Sequence, residues 1–238
     1  MVSQLQLGDL TVEVVLKDIK HVHLSVYPPT GRVKVTAPSR MRLDTLRAFV
    51  ISKLDWIKRQ QEKLRGQARE TSRDYLDRES HYLWGKRYLL KVVEAEAAPA
   101  VTLTHSQMHL QVRPGTDVER KQAIVDAWYR DQLRAALPPL AAKWGALMGV
   151  EVARFYVQRM RTRWGTCNPR RRSIRLNTEL AKKPRECLEY ILVHEMVHLL
   201  EPSHNARFVR LMDHFLPKWR HHRDRLNQLP IREEDWEY

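Results

Sequence analysis

Cysteine is scarce in this 238-residue chain: Cys167 and Cys187 are its two, far apart and in no CxxC arrangement. That excludes a disulfide framework and fits a reducing compartment, with the cytoplasm as the default location. No apolar run approaches 18 residues, so no membrane-spanning helix is expected. The opening stretch MVSQLQLGDLTVEVVLKD has no basic segment followed by an apolar one, and a secretory signal is not indicated. Acidic residues are also in deficit, 28 Asp+Glu against 42 Lys+Arg, for a formal charge of +14. An excess of that size attracts polyanions, so an anionic substrate or nucleic acid is the kind of partner it fits. Internal repeats and low-complexity tracts are missing as well, and the length allows one or two domains with a real core.

What is present reads as α+β. In the first 40 residues LTVEVVL, HVHLSVYP and GRVKVTAP alternate or run β-branched, and Pro28-Pro29-Thr30-Gly31 makes a turn. Asp44 then caps a helix predicted to continue to about Arg65, with Leu46, Phe49, Val50, Leu54 and Ile57 at helical spacing. Its other face (Arg47, Lys53, Lys58, Arg59, Lys63) is either solvated or phosphate-binding. A polar connector over 66–78 closes a β-rich N-terminal part, 1–78, ahead of a mixed part, 79–238. The two fold as separate domains or as one unit.

Strand signals resume in HYLWGKRYLLKVVEA, VTLTH and MHLQVR. A long helix starts at Asp117, and Pro138-Pro139 is predicted to break or restart it. ARFYVQRM and SIRLNTEL read as strands. The last part reads as helices: PRECLEYILVHEMVHLL from Pro184, then HNARFVRLMDHFL and WRHHRDRLNQL.

Within this pattern the segment VHEMVHLLEPSH, residues 193–204, stands out. His194 and His198 are four apart, so a helix projects both from one face and places them at adjacent corners of a metal tetrahedron. Glu195 is rotated round the helix, within reach of a water on the metal without ligating it. The helix is apolar around nearly its whole circumference, and buried imidazoles and a buried carboxylate need partners. A third ligand is required, and His204 follows after Glu201-Pro202, where proline disfavours further helix. Glu201 and His214 are rival third ligands. The spacing equals that of H-E-x-x-H-x-x-G-x-x-H, but Glu201 stands where that pattern has glycine, so the turn is built differently. Zinc is expected, one ion per chain, with other divalent transition metals able to occupy a histidine site.

At this point the chain resembles a family. Arg163-Trp164-Gly165, Ile174-Arg175-Leu176-Asn177, the H-E-x-x-H, His204, Phe208 and Pro217-Lys218-Trp219 are similar to the YgjP-like metal-dependent hydrolases, often called YgjP-like metallopeptidases. Trp84-Gly85-Lys86-Arg87-Tyr88 and Trp128-Tyr129-Arg130 extend the likeness upstream. The resemblance implies a zincin-like core with the active-site helix packed on an antiparallel-edged sheet. It also implies zinc on His194, His198 and His204, with Glu195 as general base. In ligand pattern the chain is similar to SprT-type proteases, which act on proteins crosslinked to DNA.

The segment RFYVQRMRTRWGTCNPRRRSIR, residues 154–175, holds eight arginines. On a strand Arg159, Arg161 and Arg163 would share one face, and Arg170, Arg171 and Arg172 sit in a turn after Asn168-Pro169. Guanidinium forks suit phosphate oxygens, so Arg159, Arg161, Arg163, Trp164, Arg175 and Asn177 are candidate substrate-binding residues. Peptide hydrolysis at the metal is the first reading. Phosphoanhydride hydrolysis of a nucleoside triphosphate such as UTP is the second; a DNA-associated SprT-like protease or a nucleic-acid-binding zinc protein is the third. A solvated, salt-bridged basic surface is the plain alternative for the arginines. Trp164 and Tyr156 are read as core residues rather than base-stacking ones. His21 with His23, and His221 with His222, read as exposed pairs, and Cys167 as either an ordinary or a reactive thiol.

Overall fold

The computed structural model describes residues 2–27, 31–66, 69–70, 73–160 and 163–232. Two compact units emerge, Met1–Glu70 with Pro230–Tyr238, and Thr71–Leu229. The division falls at Glu70/Thr71 rather than at the 78/79 boundary read from polarity, and Ile231–Arg232 belong with the first unit.

In the first unit, strands β1 (Val2–Leu7), β2 (Leu10–Lys17), β3 (His23–Tyr27) and β4 (Arg32–Pro38) form one sheet in the order β1-β2-β4-β3. The alternation of β2 and β4 turns Val12, Val14, Val33, Val35 and Ala37 to one face. Leu46, Val50 and Ile57 of helices α1 (Leu43–Ile51) and α2 (Leu54–Gly66) complete that core. The sequence predicts one helix over this stretch, with Asp44 as its cap; the structure has two helices, and Arg42 takes the cap position. Ser52 ends α1 by bonding its side chain to the Phe49 carbonyl at 2.7 Å, a local bond that competes with the helix ladder. A short strand, β5 (Arg69–Glu70), pairs in parallel with Ile231–Arg232.

The second unit has two sheets. Strands β6 (Ser80–Leu83), β7 (Lys86–Glu94), β8 (Ala100–Leu103) and β9 (Gln107–Val112) take the order β6-β7-β9-β8. Trp84 and Gly85 both have positive φ between β6 and β7, as a two-residue primed hairpin turn requires. Helix α3 (Val118–Met148) is capped by the Asp117 side chain, which accepts from the Arg120 amide, and it runs unbroken through Pro138 and Pro139. This corrects the predicted break. The carbonyls that the prolines leave without partners belong to Arg134 and Ala135 on the exposed side, where water can satisfy them. Buried Tyr129, Leu133, Leu137 and Trp144 hold the helix on both sides of the prolines.

The second sheet consists of β10 (Arg154–Gln158), β11 (Gly165–Asn168) and β12 (Ser173–Asn177), with β12 central, parallel to β10 and antiparallel to β11. Helix α4 (Arg185–Val197) packs against β11 and β12. Helices α5 (Ala206–Phe215) and α6 (Trp219–Gln228) pack on α4. Asp213 accepts from the Trp219 indole at 2.8 Å, and Arg225 of α6 pairs with Glu186 of α4. Among the described residues no helix is long and apolar enough to cross a membrane.

Candidate metal centre

Nine side chains of α4 are buried, Cys187, Leu188, Leu192, Val193, Met196 and Val197 completely, so the helix is surrounded by protein on nearly every side. Its last turns present His194 and His198 together, as i and i+4 spacing requires. The α-helix ends at Val197, and the chain then turns: the Leu199, Leu200 and Glu201 amides bond back to Met196 and Val197. Glu201 builds this turn with its own side chain, accepting from the Ser203 amide at 3.2 Å and the Ser203 hydroxyl at 2.9 Å. Those bonds hold its carboxyl below the ordinary glutamate range. Glu201 is not among the described non-glycine residues with positive φ, which explains why no glycine is needed there. Asn205 caps α5 by accepting from the Arg207 and Phe208 amides, and this fixes His204 immediately before it.

The result is convergence. One nitrogen from each of His194, His198 and His204 lies within 4.8 Å of the others, and the Nε2 atoms of His194 and His204 are 3.0 Å apart. Tetrahedral zinc ligands at about 2.0–2.1 Å stand roughly 3.3 Å from one another, so the donor set fits such an ion. The His198 Nδ1 faces the Glu201 carbonyl at 3.1 Å, where an N–H donates and leaves Nε2 free to ligate. Burial, followed by repulsion from His198 and His204, pushes His194 down to about 4. Burial also lowers His198. At neutral pH both imidazoles are therefore neutral, the form with a lone pair to donate. His214 is exposed and lies outside the group.

Phe208 enters the sequence pattern only as part of a family likeness. Its ring lies 4.9 Å from that of His194 and 4.7 Å from those of His198 and His204, centroid to centroid. It is 3% exposed and packs all three imidazoles from one side. Its place at the third position of α5 follows from the Asn205 cap, a short-range signal that contact with the histidines does not share.

Glu195 is 5% exposed. Burial pushes its carboxyl up to about 8, opposed by the positive charge of Arg163. The β11 backbone comes close enough that a methyl group on Gly165 would lie 2.7 Å from Oε1 of Glu195 and 2.8 Å from its Cγ. Glycine is therefore the residue that lets this strand and that side chain share the space. Cys167, two residues on, has its thiol pushed up to about 12 by burial and by the charge of Glu195, which argues against the reactive-thiol reading.

The other predicted site residues separate. Strand β10 ends at Gln158, and among the described residues neither Arg159 nor Arg163 lies in a strand, so the two-residue periodicity invoked for them does not apply. Arg159 is exposed just beyond the strand, and Arg161 lies outside the described residues. Trp164 is partly buried against the core. Asn177 is 5% exposed and acts as a clamp on the loop before β11. Its amide donates to the carbonyls of Met160 (2.7 Å) and Arg163 (2.9 Å), and its oxygen accepts from the Glu179 amide. Arg175 points to the face of the sheet away from α4, over the ring of Tyr156, which at 41% exposure is not the core residue expected. The arginine turn at 170–172 is present between β11 and β12. His21 and His23 are exposed.

A search of curated proteins finds no match. Among solved structures the chain is similar to the metallopeptidase zymogen abylysin of Pyrococcus abyssi, at 19% identity and a TM-score of 0.36. That likeness covers 39% of this chain and 96% of the other. The family described as YgjP-like, metallopeptidase domain, matches residues 20–229, and on that extent the chain belongs to the YgjP-like metallopeptidase domain family.

Proposed function

We propose that the chain is a zinc-dependent peptidase with a zincin-like core, in which His194, His198 and His204 hold one ion and Glu195 is the general base. One observation carries the reading. Three imidazole nitrogens converge beside a buried glutamate of the same helix, in a member of a metallopeptidase domain family. Three imidazole nitrogens suit zinc, and manganese, nickel or cobalt would bind the same set. When bound, the ion supplies Lewis acidity that polarises the scissile carbonyl and makes a water more acidic.

The chain's own groups do the rest. Glu195 takes the proton of the attacking water on a carboxylate oxygen and later delivers it to the leaving amine. Arg163 favours the ionised form that this requires, against the burial that disfavours it. The apolar wall of α4 limits water around the carboxylate, which strengthens each charge interaction there.

Metal analysis and hydrolysis of an unfolded protein substrate test the proposal together. Wild type and Glu195→Gln are expected to carry about one ion per chain, and His194→Ala and His198→Ala to lose it. Glu195→Gln should lower the rate by roughly 10²–10⁴. Full metal occupancy in both histidine variants would remove the site, and an active, metal-loaded Glu195→Gln would remove the base. Pyrophosphate release from nucleoside triphosphates without proteolysis would replace the peptide bond by a phosphoanhydride.

A further inference from the structure

The β10-β12-β11 sheet has two faces of different chemistry. Phe155, Val157, Ile174 and Leu176 point inward to the core. The register places Arg154, Ser173 and Asn168 in one row of the outer face, and Tyr156, Arg175 and Thr166 in the next. No carboxylate stands in either row. Among the described residues no acidic side chain pairs with Arg154, Arg170, Arg171 or Arg175, whereas Arg172 is tied to Glu151. Arg170 and Arg171 extend the positive charge along the hairpin at the end of the same sheet.

Tyr156 stands on the edge strand β10, in the row it shares with Arg175 and Thr166. Tyr156 is 41% exposed, and the Arg175 guanidinium lies 5.6 Å from its centroid. Arg175 lies over the ring, the exposed part of Tyr156 offers a stacking surface beside that cation, and the surrounding arginines offer phosphate contacts without competing carboxylates. We propose that this outer face binds single-stranded nucleic acid, one base stacking on Tyr156 and the backbone running over Arg154, Arg175 and the 170–171 turn. Duplex is a poorer fit, because its bases are already stacked on each other. An acidic polypeptide would be drawn by the charge but would gain nothing from the ring. The inference does not depend on the metal chemistry, since the face lies on the opposite side of the sheet from α4.

Fluorescence anisotropy of a labelled oligodeoxythymidylate, titrated with the full metal-loaded chain at about 50 mM salt, tests it. Saturable binding is expected. Tyr156→Phe should bind as wild type, and Tyr156→Ala roughly tenfold more weakly with an unchanged salt slope. Arg175→Gln should weaken binding and reduce the salt slope by about one. These are surface positions, and thermal melts of each variant should match wild type. Affinity unaltered by Tyr156→Ala would overturn the proposal in favour of charge alone. An equal loss of affinity for a labelled polyglutamate would overturn it in favour of a polypeptide occupant.

Discussion

At the scale of single residues, the site depends on Gly165 as much as on the histidines. A methyl group there would stand under 3 Å from two atoms of Glu195, so Gly165→Ala must displace the carboxylate, the strand or both. Overpacking of this kind costs about 1–3 kcal/mol. Denaturant unfolding should show that loss in the wild-type background and little of it in Glu195→Ala, where the space has been vacated. Equal losses in the two backgrounds would mean that the contact is not the cause. Glu195 itself sets a pH signature in metal-free protein. Burial pushes its carboxyl up from 4.5 to about 8 on folding, so the folded state binds more protons between those values. Stability then falls as pH rises from about 4.5 to about 8. His194 acts oppositely at lower pH: held at about 4 against 6.5, it stays neutral when folded, so its contribution grows with pH and is complete above 6.5. The stability advantage of Glu195→Gln over wild type should therefore widen from pH 5 to pH 8, by about 2–4 kcal/mol. Chemical denaturation in the presence of a chelator measures it, and a constant gap would mean that the Glu195 carboxyl does not titrate in this range.

At the scale of elements, α3 shows where a local rule gave way to packing. Proline inside a helix costs about 3 kcal/mol relative to alanine, and α3 carries two because its buried residues span both sides of them. Pro138→Ala should raise the melting temperature, with a net gain of about 1–2 kcal/mol once the freer unfolded chain is counted. If the prolines ended a helix in solution, the same change would give no gain. In α5, the Asn205 cap sets Phe208 against three imidazoles. Phe208→Leu keeps an apolar side chain of lesser reach, and metal affinity measured by competition with a chromogenic chelator should fall about 10–100-fold. The helices α4 and α5 were legible from local signals, a first-turn proline before an unbroken apolar run in α4 and an Asn205 cap with apolar spacing in α5. Strand β11 was not: Gly-Thr-Cys-Asn has little strand propensity, and its pairing with β12 supplies what the residues lack.

At the scale of the whole molecule, each unit has its own apolar core, and the three histidines all belong to the second. An ion that binds only the folded site stabilises by mass action, about 2.7 kcal/mol at a hundred times its dissociation constant. Calorimetry with added zinc should therefore shift the transition of the larger unit and leave that of the smaller one in place. A shift of both together would mean that the units unfold as one. The short-range chemistry of this site was written in the sequence: two histidines one helical turn apart, a glutamate beside them, and a proline that ends the helix in time for His204. Those features act over a few residues, and neighbours in sequence suffice to specify them. Only the tertiary structure decided that Gly165 of β11 meets Glu195 and that Phe208 closes on the rings. It alone turned Arg175 and Tyr156 away from the histidines. Each of these depends on strand register and on contacts between segments remote in the chain, and periodicity carries no record of what a face will meet.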